Sequence, residues 1–264
     1  MYPKDMKIII QNLRNLYILC LFGLLVVAAP FSHADDMPQR LTVAELFTSQ
    51  GCNSCPPADD VLAGLVGQKN ILALSYSVDY WNYLGWKDTL AKPACGRRQK
   101  AYNRALGKSG VYTPQMIIQG TYDLVGSQAA AIHQKIAEVD ISQKKKLKSG
   151  SEVEPKLSFI AQQNMIFLKI SRGKLGEKIA ATIWIIAYDF EKTVTITKGE
   201  LKGQRRKYHN VVQSIKRVGS WMGDDIKLTL SYGDIGTEKY DGYAVLLQTN
   251  ETGPIISAAK LIQN

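Results

Sequence analysis

Two cysteines two residues apart, in Gly51-Cys52-Asn53-Ser54-Cys55-Pro56-Pro57, are the residues of this chain best suited to chemistry. That spacing lets the two sulfurs close a small ring, and a thiolate formed there can exchange disulfides. The flanking elements must supply the geometry. Leu41 to Thr48 is apolar and β-branched and reads as a strand; Asp59 to Val66 reads as the first turns of a helix. A helix start carries unpaired backbone N–H groups that can stabilise a thiolate. A structural disulfide and half of a metal site are the competing readings, and redox chemistry is placed ahead of both. In such a motif the first cysteine is expected at the exposed tip of the turn and the second behind strand–helix packing. Cys52 then attacks and Cys55 resolves the mixed disulfide.

The prolines complicate this. Each disfavours helical geometry in the residue before it, so the regular helix is expected to begin only at Pro56 or Pro57. Cys52 then stands up to a turn outside the helix, where the dipole fades, and the Asp59 and Asp60 charges oppose a thiolate. The expectation is a reactive Cys52 that is not strongly acidic.

Residues 1–34 have the pattern of a secretory signal. Lys4, Lys7 and Arg14 precede an apolar run from Leu16 to Ala29, and Ser32-His33-Ala34 offers a cleavage site. The run is short for a membrane span and no second one follows. An exported, periplasmic or secreted protein starting near Asp35, with no transmembrane span after cleavage, is expected. Cys20 leaves with the signal. Cys52, Cys55 and Cys95 remain, and an odd number argues for one reversible pair plus a bystander in a compartment where disulfides persist. The formal charge of +10 falls to +8 without the signal, which carries three bases and one acid. The bases are dispersed, so a solvated surface is the default reading. With no recognition motif, nucleic acid is not an expected partner. Envelope proteins bearing thiols or disulfides, or small thiols, are.

Up to about Lys146 the pattern alternates. Ile71 to Val78 reads as a strand, Pro93 to Leu106 as an amphipathic helix, Gln115 to Gln119 and Tyr122 to Val125 as strands, and Gln128 to Val139 as a helix. That order predicts an α/β layer over residues 35–146. Lysine-rich Gln143 to Ser151 reads as a linker or an exposed helix end. From 152 to 264 strand follows strand, among them Ile179 to Phe190, Thr193 to Thr197 and Asn210 to Val218. An all-β, β-sandwich-like second domain is predicted there.

The α/β half with its Cys-x-x-Cys resembles the thioredoxin fold. Val111-Tyr112-Thr113-Pro114-Gln115 comes just before a strand, where thioredoxin-like proteins carry a cis-proline facing the dithiol. The resemblance implies that Pro114 is cis and that the backbone at Thr113 pairs with an extended substrate. An ordinary trans proline opening an edge strand is the alternative. At finer grain the chain resembles a family of exported proteins of unknown function, DUF1223. Glu45 to Cys52, Cys55 to Asp59, Val78 to Asp88, Arg98-Gln99, Tyr112 to Gln115 and Gly253-Pro254-Ile255 carry that likeness. It implies a thioredoxin-like domain followed by a β-rich one and supplies no activity. Cys95 does not belong to the pattern.

Further candidates flank the dithiol. Glu45, in the strand before it, could accept a proton from Cys55 if buried; an exposed edge-strand glutamate is the alternative. Asp79, Tyr80, Trp81 and Trp86 could form an aromatic rim for a peptide substrate, or simply pack a loop. Cys95 reads as idle, and His133 as a helix-surface residue. Arg205, Arg206, Tyr208 and His209 make a polar group read as a surface or interface patch. Two functions compete: a thiol–disulfide oxidoreductase that needs no cofactor beyond its own disulfide, and an envelope binding protein or metallochaperone holding Cu(I) on Cys52 and Cys55.

Overall fold

Strand β1 (Thr42–Thr48) is buried along its whole length, as a strand covered on both faces must be. In the computed structural model, residues 40–150, 153–162, 164–174, 180–236 and 239–263 are described. The signal-like segment, Cys20 and the cleavage site lie outside the described residues. The period of two along β1 sorts its side chains. Ala44 and Leu46 pack with Ala58, Leu62 and Leu65 of helix α1 (Pro56–Leu65) and with Ile132, Ile136 and Val139 of helix α3 (Ala129–Lys148). Val43 and Phe47 face the other way, toward Cys95 and Tyr102 of helix α2 (Pro93–Ala105).

Strand β2 (Ile71–Ser77) runs parallel to β1; β3 (Gln115–Ile118) and β4 (Tyr122–Val125) follow antiparallel on its other side. α3 continues through the lysines to Lys148, because Ile132, Ile136, Val139 and Gln143 keep one buried stripe at helical spacing. The lysine-rich segment is thus mostly helix rather than linker.

The second half joins the first. β5 (Leu157–Gln162), β6 (Met165–Ile170), β9 (Ile226–Ser231) and the short β12 (Ile262–Gln263) make a four-stranded sheet in the order β12-β5-β6-β9, antiparallel apart from β12. β7 (Ala181–Thr195), β8 (Arg205–Trp221), β10 (Gly242–Thr249) and β11 (Ile255–Lys260) instead extend the first sheet to eight strands, ordered β11-β10-β7-β8-β2-β1-β3-β4. The result is a mixed α/β fold with one large mixed sheet and a second, antiparallel one. Where two strands were predicted over 179–197, β7 is one strand of fifteen residues. β8 starts at Arg205, so the Arg-Arg-Lys-Tyr-His run lies within a strand that was expected to begin only at Asn210. Helix α4 (Tyr232–Ile235) is a single turn closed by a Ser231–Asp234 capping box.

The cores cross the expected boundary near residue 150. Phe47, Leu72, Leu74 and Tyr76 of β1 and β2 share one apolar cluster with Ile186, Tyr188, Val212, Leu246 and Ile255. Each fully buried side chain of that kind contributes roughly 1.5–3 kcal/mol, so much of the first half's stability depends on the second. The four-stranded sheet packs through Phe159, Ile166 and Leu168 on Ile183, Ile185, Val245 and Leu247 of the large sheet. That is a sandwich-like layering, but one layer belongs to the sheet carrying β1. The chain from Pro38 to Asn264 is one compact unit.

Candidate functional site

β1 ends at Thr48, and the chain turns through Ser49 to Cys55 before α1 begins at Pro56. Cys55 stands at the helix cap and Cys52 three residues outside it; the helix begins at Pro56 as expected, but Cys55 itself has helical geometry (φ −79°, ψ −33°) despite the proline that follows it. The sulfurs of Cys52 and Cys55 are joined in a disulfide, with Cα atoms 5.4 Å apart. Pro56 and Pro57 have no N–H groups, and the Ala58 and Asp59 amides both donate to the Cys55 carbonyl. The helix start therefore offers few free donors to a thiolate. Cys55 is fully buried and Cys52 is 3 % exposed. Asn53 and Ser54 form the exposed tip instead, with Ser54 Oγ 3.5 Å from Cys52 Sγ.

The loop after β2 holds this turn on both sides. Trp86 Nε1 donates to Gln50 Oε1 at 2.8 Å, and the Gln50 amide donates to Asp88 at 2.8 Å. Trp81 packs so closely on Gly51 that a Cβ there would lie 3.0 Å from the Trp81 Cβ. Its Nε1 donates to Thr113 Oγ1 at 2.7 Å. The Thr113–Pro114 peptide is cis, as the resemblance implied. Pro114 meets the helix start across Gly126, where an added Cβ would stand 3.0 Å from Pro114 Cβ and 3.1 Å from Ala58 Cβ. Thr113, Trp81 and Trp86 are thus gathered around the dithiol turn, and Tyr83, 76 % exposed, stacks on Trp81 at 6.3 Å.

Glu45 is buried, not at an exposed edge, but on the face of β1 opposite α1. Its carboxylate accepts from Arg98 Nε at 2.7 Å and Nη2 at 3.2 Å, and from the Tyr102 hydroxyl. Gln248 of β10 completes the group, accepting from Arg98 at 3.1 Å and donating to Tyr102 at 2.8 Å. Two buried acids lie on the dithiol's side, Asp88 against the Gln50 amide and Asp59 on α1. Four residues after Cys55, Asp59 lies on the same face of α1, accepts from Thr48 Oγ1 at 2.8 Å, and is 6 % exposed. Burial, opposed by the Thr48 hydrogen bond and the Arg206 charge, pushes its carboxyl up to about 7. In the sequence Asp59 is a charge at the helix start, and its i, i+4 spacing from Cys55 is the signal that sets it beside the dithiol.

The chain belongs to the DUF1223 family. That family, described as a protein of unknown function, matches residues 43–248. Two solved structures are similar to this DUF1223 chain. A crystal structure of an Agrobacterium tumefaciens protein is 32 % identical with a TM-score of 0.70, covering 84 % of this chain and 94 % of that one. HBP35 of Porphyromonas gingivalis is 17 % identical with a TM-score of 0.54, covering 84 % of this chain and 74 % of that one; it is a likeness of fold alone. No curated protein matches the chain.

Cys95 is buried in the core beneath α2, and burial pushes its thiol up to about 12. His133 is exposed on α3. Of the two readings of the Arg205–His209 group, surface or interface, Arg206 takes the second: it lies against α1, donating from Nη2 to the Pro56 carbonyl and to Asp60, each at 3.0 Å. Among the described residues no helix is long and apolar enough to cross a membrane. None of them form a group of three or more His, Cys, Asp or Glu placed to hold a metal.

Proposed function

We propose that this protein is an exported thiol–disulfide oxidoreductase built on a thioredoxin-like core. The observation that carries the reading is the Cys52–Cys55 disulfide at the β1–α1 turn with cis-Pro114 packed beside the same helix start. The succession β1-α1-β2-α2-β3-β4-α3, in sheet order β2-β1-β3-β4, supports the thioredoxin-like part. In the reduced protein the Cys52 thiolate attacks a substrate disulfide, forming a mixed disulfide and expelling one substrate thiolate. Cys55 gives its proton to Asp59 and attacks the Cys52 sulfur, restoring the internal disulfide and releasing the second thiolate. An external dithiol of the envelope returns the two electrons; the reverse sequence oxidises a substrate. Asp59, rather than Glu45 across the strand, is the proton acceptor in this reading. Trp81, Tyr83 and Thr113 border the approach to Cys52, with the Thr113 backbone available to an extended peptide. Cys52 is so little exposed that a substrate sulfur must enter beside Asn53 and Ser54.

Replacing Cys55 by serine tests this. Cys52 then attacks without release, so mixed disulfides with envelope proteins or small thiols accumulate, and Cys52→Ser abolishes them. If Cys55→Ser traps nothing under mild oxidation and the wild type neither reduces nor oxidises model disulfides, the reading fails. Cu(I) titration of metal-free protein then decides for or against the copper-carrier alternative.

A further inference from the structure

Arg206 comes from the second half of the chain, yet its guanidinium lies on the first turn of α1. On β8, Arg206 and Tyr208 share a face, and Tyr208 is 2 % exposed beneath it. Arg206 Nη2 bridges the Pro56 carbonyl and Asp60 Oδ1, and its Nε is buried with no hydrogen-bond partner. Pro56 follows Cys55 directly, so one cation clamps the turn that carries the resolving cysteine. The groups facing Asp59 come from four places: Thr48 at the end of β1, Asp60 on α1 itself, Asp88 on the loop after β2, and Arg206 with Tyr208 on β8. Of these only Arg206 is cationic.

We propose that Arg206 is a positioning residue of the dithiol site: it holds the first turn of α1 and offsets the acids around it, keeping the Asp59 carboxylate available to accept the proton of Cys55. This rests on the oxidoreductase reading above. A buried carboxylate beside two other acids gives up its charge unless an opposite charge stands close. Without Arg206, Asp59 stays protonated to higher pH and Cys55 loses its proton acceptor. Removing the Asp60 charge acts the other way.

The test uses the reduced full chain and 5,5′-dithiobis(2-nitrobenzoate). Attack by Cys52 releases the first nitrothiobenzoate anion and forms the mixed disulfide. Attack by Cys55 releases the second and closes the Cys52–Cys55 disulfide; two electrons pass from the dithiol to the reagent, and the Cys55 proton goes to Asp59. The rate of the second release is followed against pH. Arg206→Gln is expected to move its midpoint up by about one pH unit, in line with the loss of one nearby opposite charge. Arg206→Lys restores most of the wild-type profile, and Asp60→Asn moves the midpoint down. Thermal unfolding checks that each variant is folded. A folded Arg206→Gln with an unmoved midpoint overturns the proposal. Should Arg206→Gln not fold, an unmoved or raised midpoint in Asp60→Asn does so. Absence of a second release in the wild type overturns the oxidoreductase reading itself.

Discussion

The Thr48 hydroxyl donates to the Asp59 carboxyl at 2.8 Å, joining the last residue of β1 to the first turn of α1. Across the same strand, Glu45 is held by Arg98 at 2.7 Å. One strand thus separates Glu45 and Asp59, two of the buried acids, with different surroundings. One is paired with a guanidinium, and the other has a hydroxyl and a more distant charge.

Asp59 should make the oxidised protein less stable as pH rises. Its carboxyl goes from an ordinary 3.8 to about 7 on folding. Between those values the folded state holds a proton that the unfolded state has lost. The site's contribution is therefore full below about pH 4 and declines by about 1.4 kcal/mol per pH unit until the folded carboxyl ionises. Urea unfolding of wild type and Asp59→Asn across that window should give a difference favouring the variant more at each higher pH. A difference that does not change with pH would show that Asp59 holds no proton.

Cys52 should behave as a thiol of near-ordinary acidity. The two prolines remove N–H donors and the next two amides are taken by the Cys55 carbonyl. Alkylation of the reduced protein against pH should give a midpoint above about 7 for Cys52, with Cys95 unreacted until the protein unfolds. A midpoint near about 4, as in strongly oxidising dithiols, would mean that other groups stabilise the thiolate.

Breaking the Glu45–Arg98 pair should destabilise the fold without touching the dithiol. Arg98→Met leaves a fully buried carboxylate unpaired, at a cost of about 3–5 kcal/mol. Glu45→Leu combined with Arg98→Met should recover much of the loss in denaturant unfolding. The reduction potential of Cys52/Cys55 should be the same in the wild type and both variants. A potential that follows the Glu45 variant would return that acid to the dithiol's chemistry.

A fragment ending at Lys146 should not unfold cooperatively. The sequence pattern suggests a self-contained α/β half, but Leu72, Leu74 and Tyr76 share their core with Ile186, Tyr188 and Leu246. Residues 35–146 expressed alone should give a broad thermal transition and bind hydrophobic dyes. A sharp transition would show that the shared cluster is dispensable.

What could be read from the chain was local. The strand–turn–helix around Cys52, the helix start at Pro56 and most strand limits follow from short-range patterns of apolar spacing and proline tolerance, while the cis bond at Pro114 came only from the resemblance to the thioredoxin fold. The rest depended on partners distant in sequence. Which face Glu45 takes is decided by the parity of β1 together with the placement of α1 and α2, and no residue near Glu45 encodes that. Arg206 looks like a surface base until β8 is set beside β2. The run of strands after residue 150 was legible as strands, but not which sheet each would join, because alternating burial is the same in either.

The large sheet has eight strands in order, but its backbone ladder is not continuous. β2 and β8 meet at a single bridge, Ser75 to Val211, helped by Asn210, whose side-chain amide donates to the Ala73 carbonyl at 2.8 Å. On the far side, Gln119 and Ile255 exchange hydrogen bonds at 3.0 and 2.5 Å. Two ribbons of four strands are therefore held face to face mainly by side chains. Few backbone hydrogen bonds cross that join, so local fraying there disrupts fewer of them than fraying inside either ribbon. Amide protons along the seam should then exchange with solvent ahead of those in the centre of either ribbon. Arg206 spans that line, so every opening would lift it away from α1 and leave the dithiol turn without its cation.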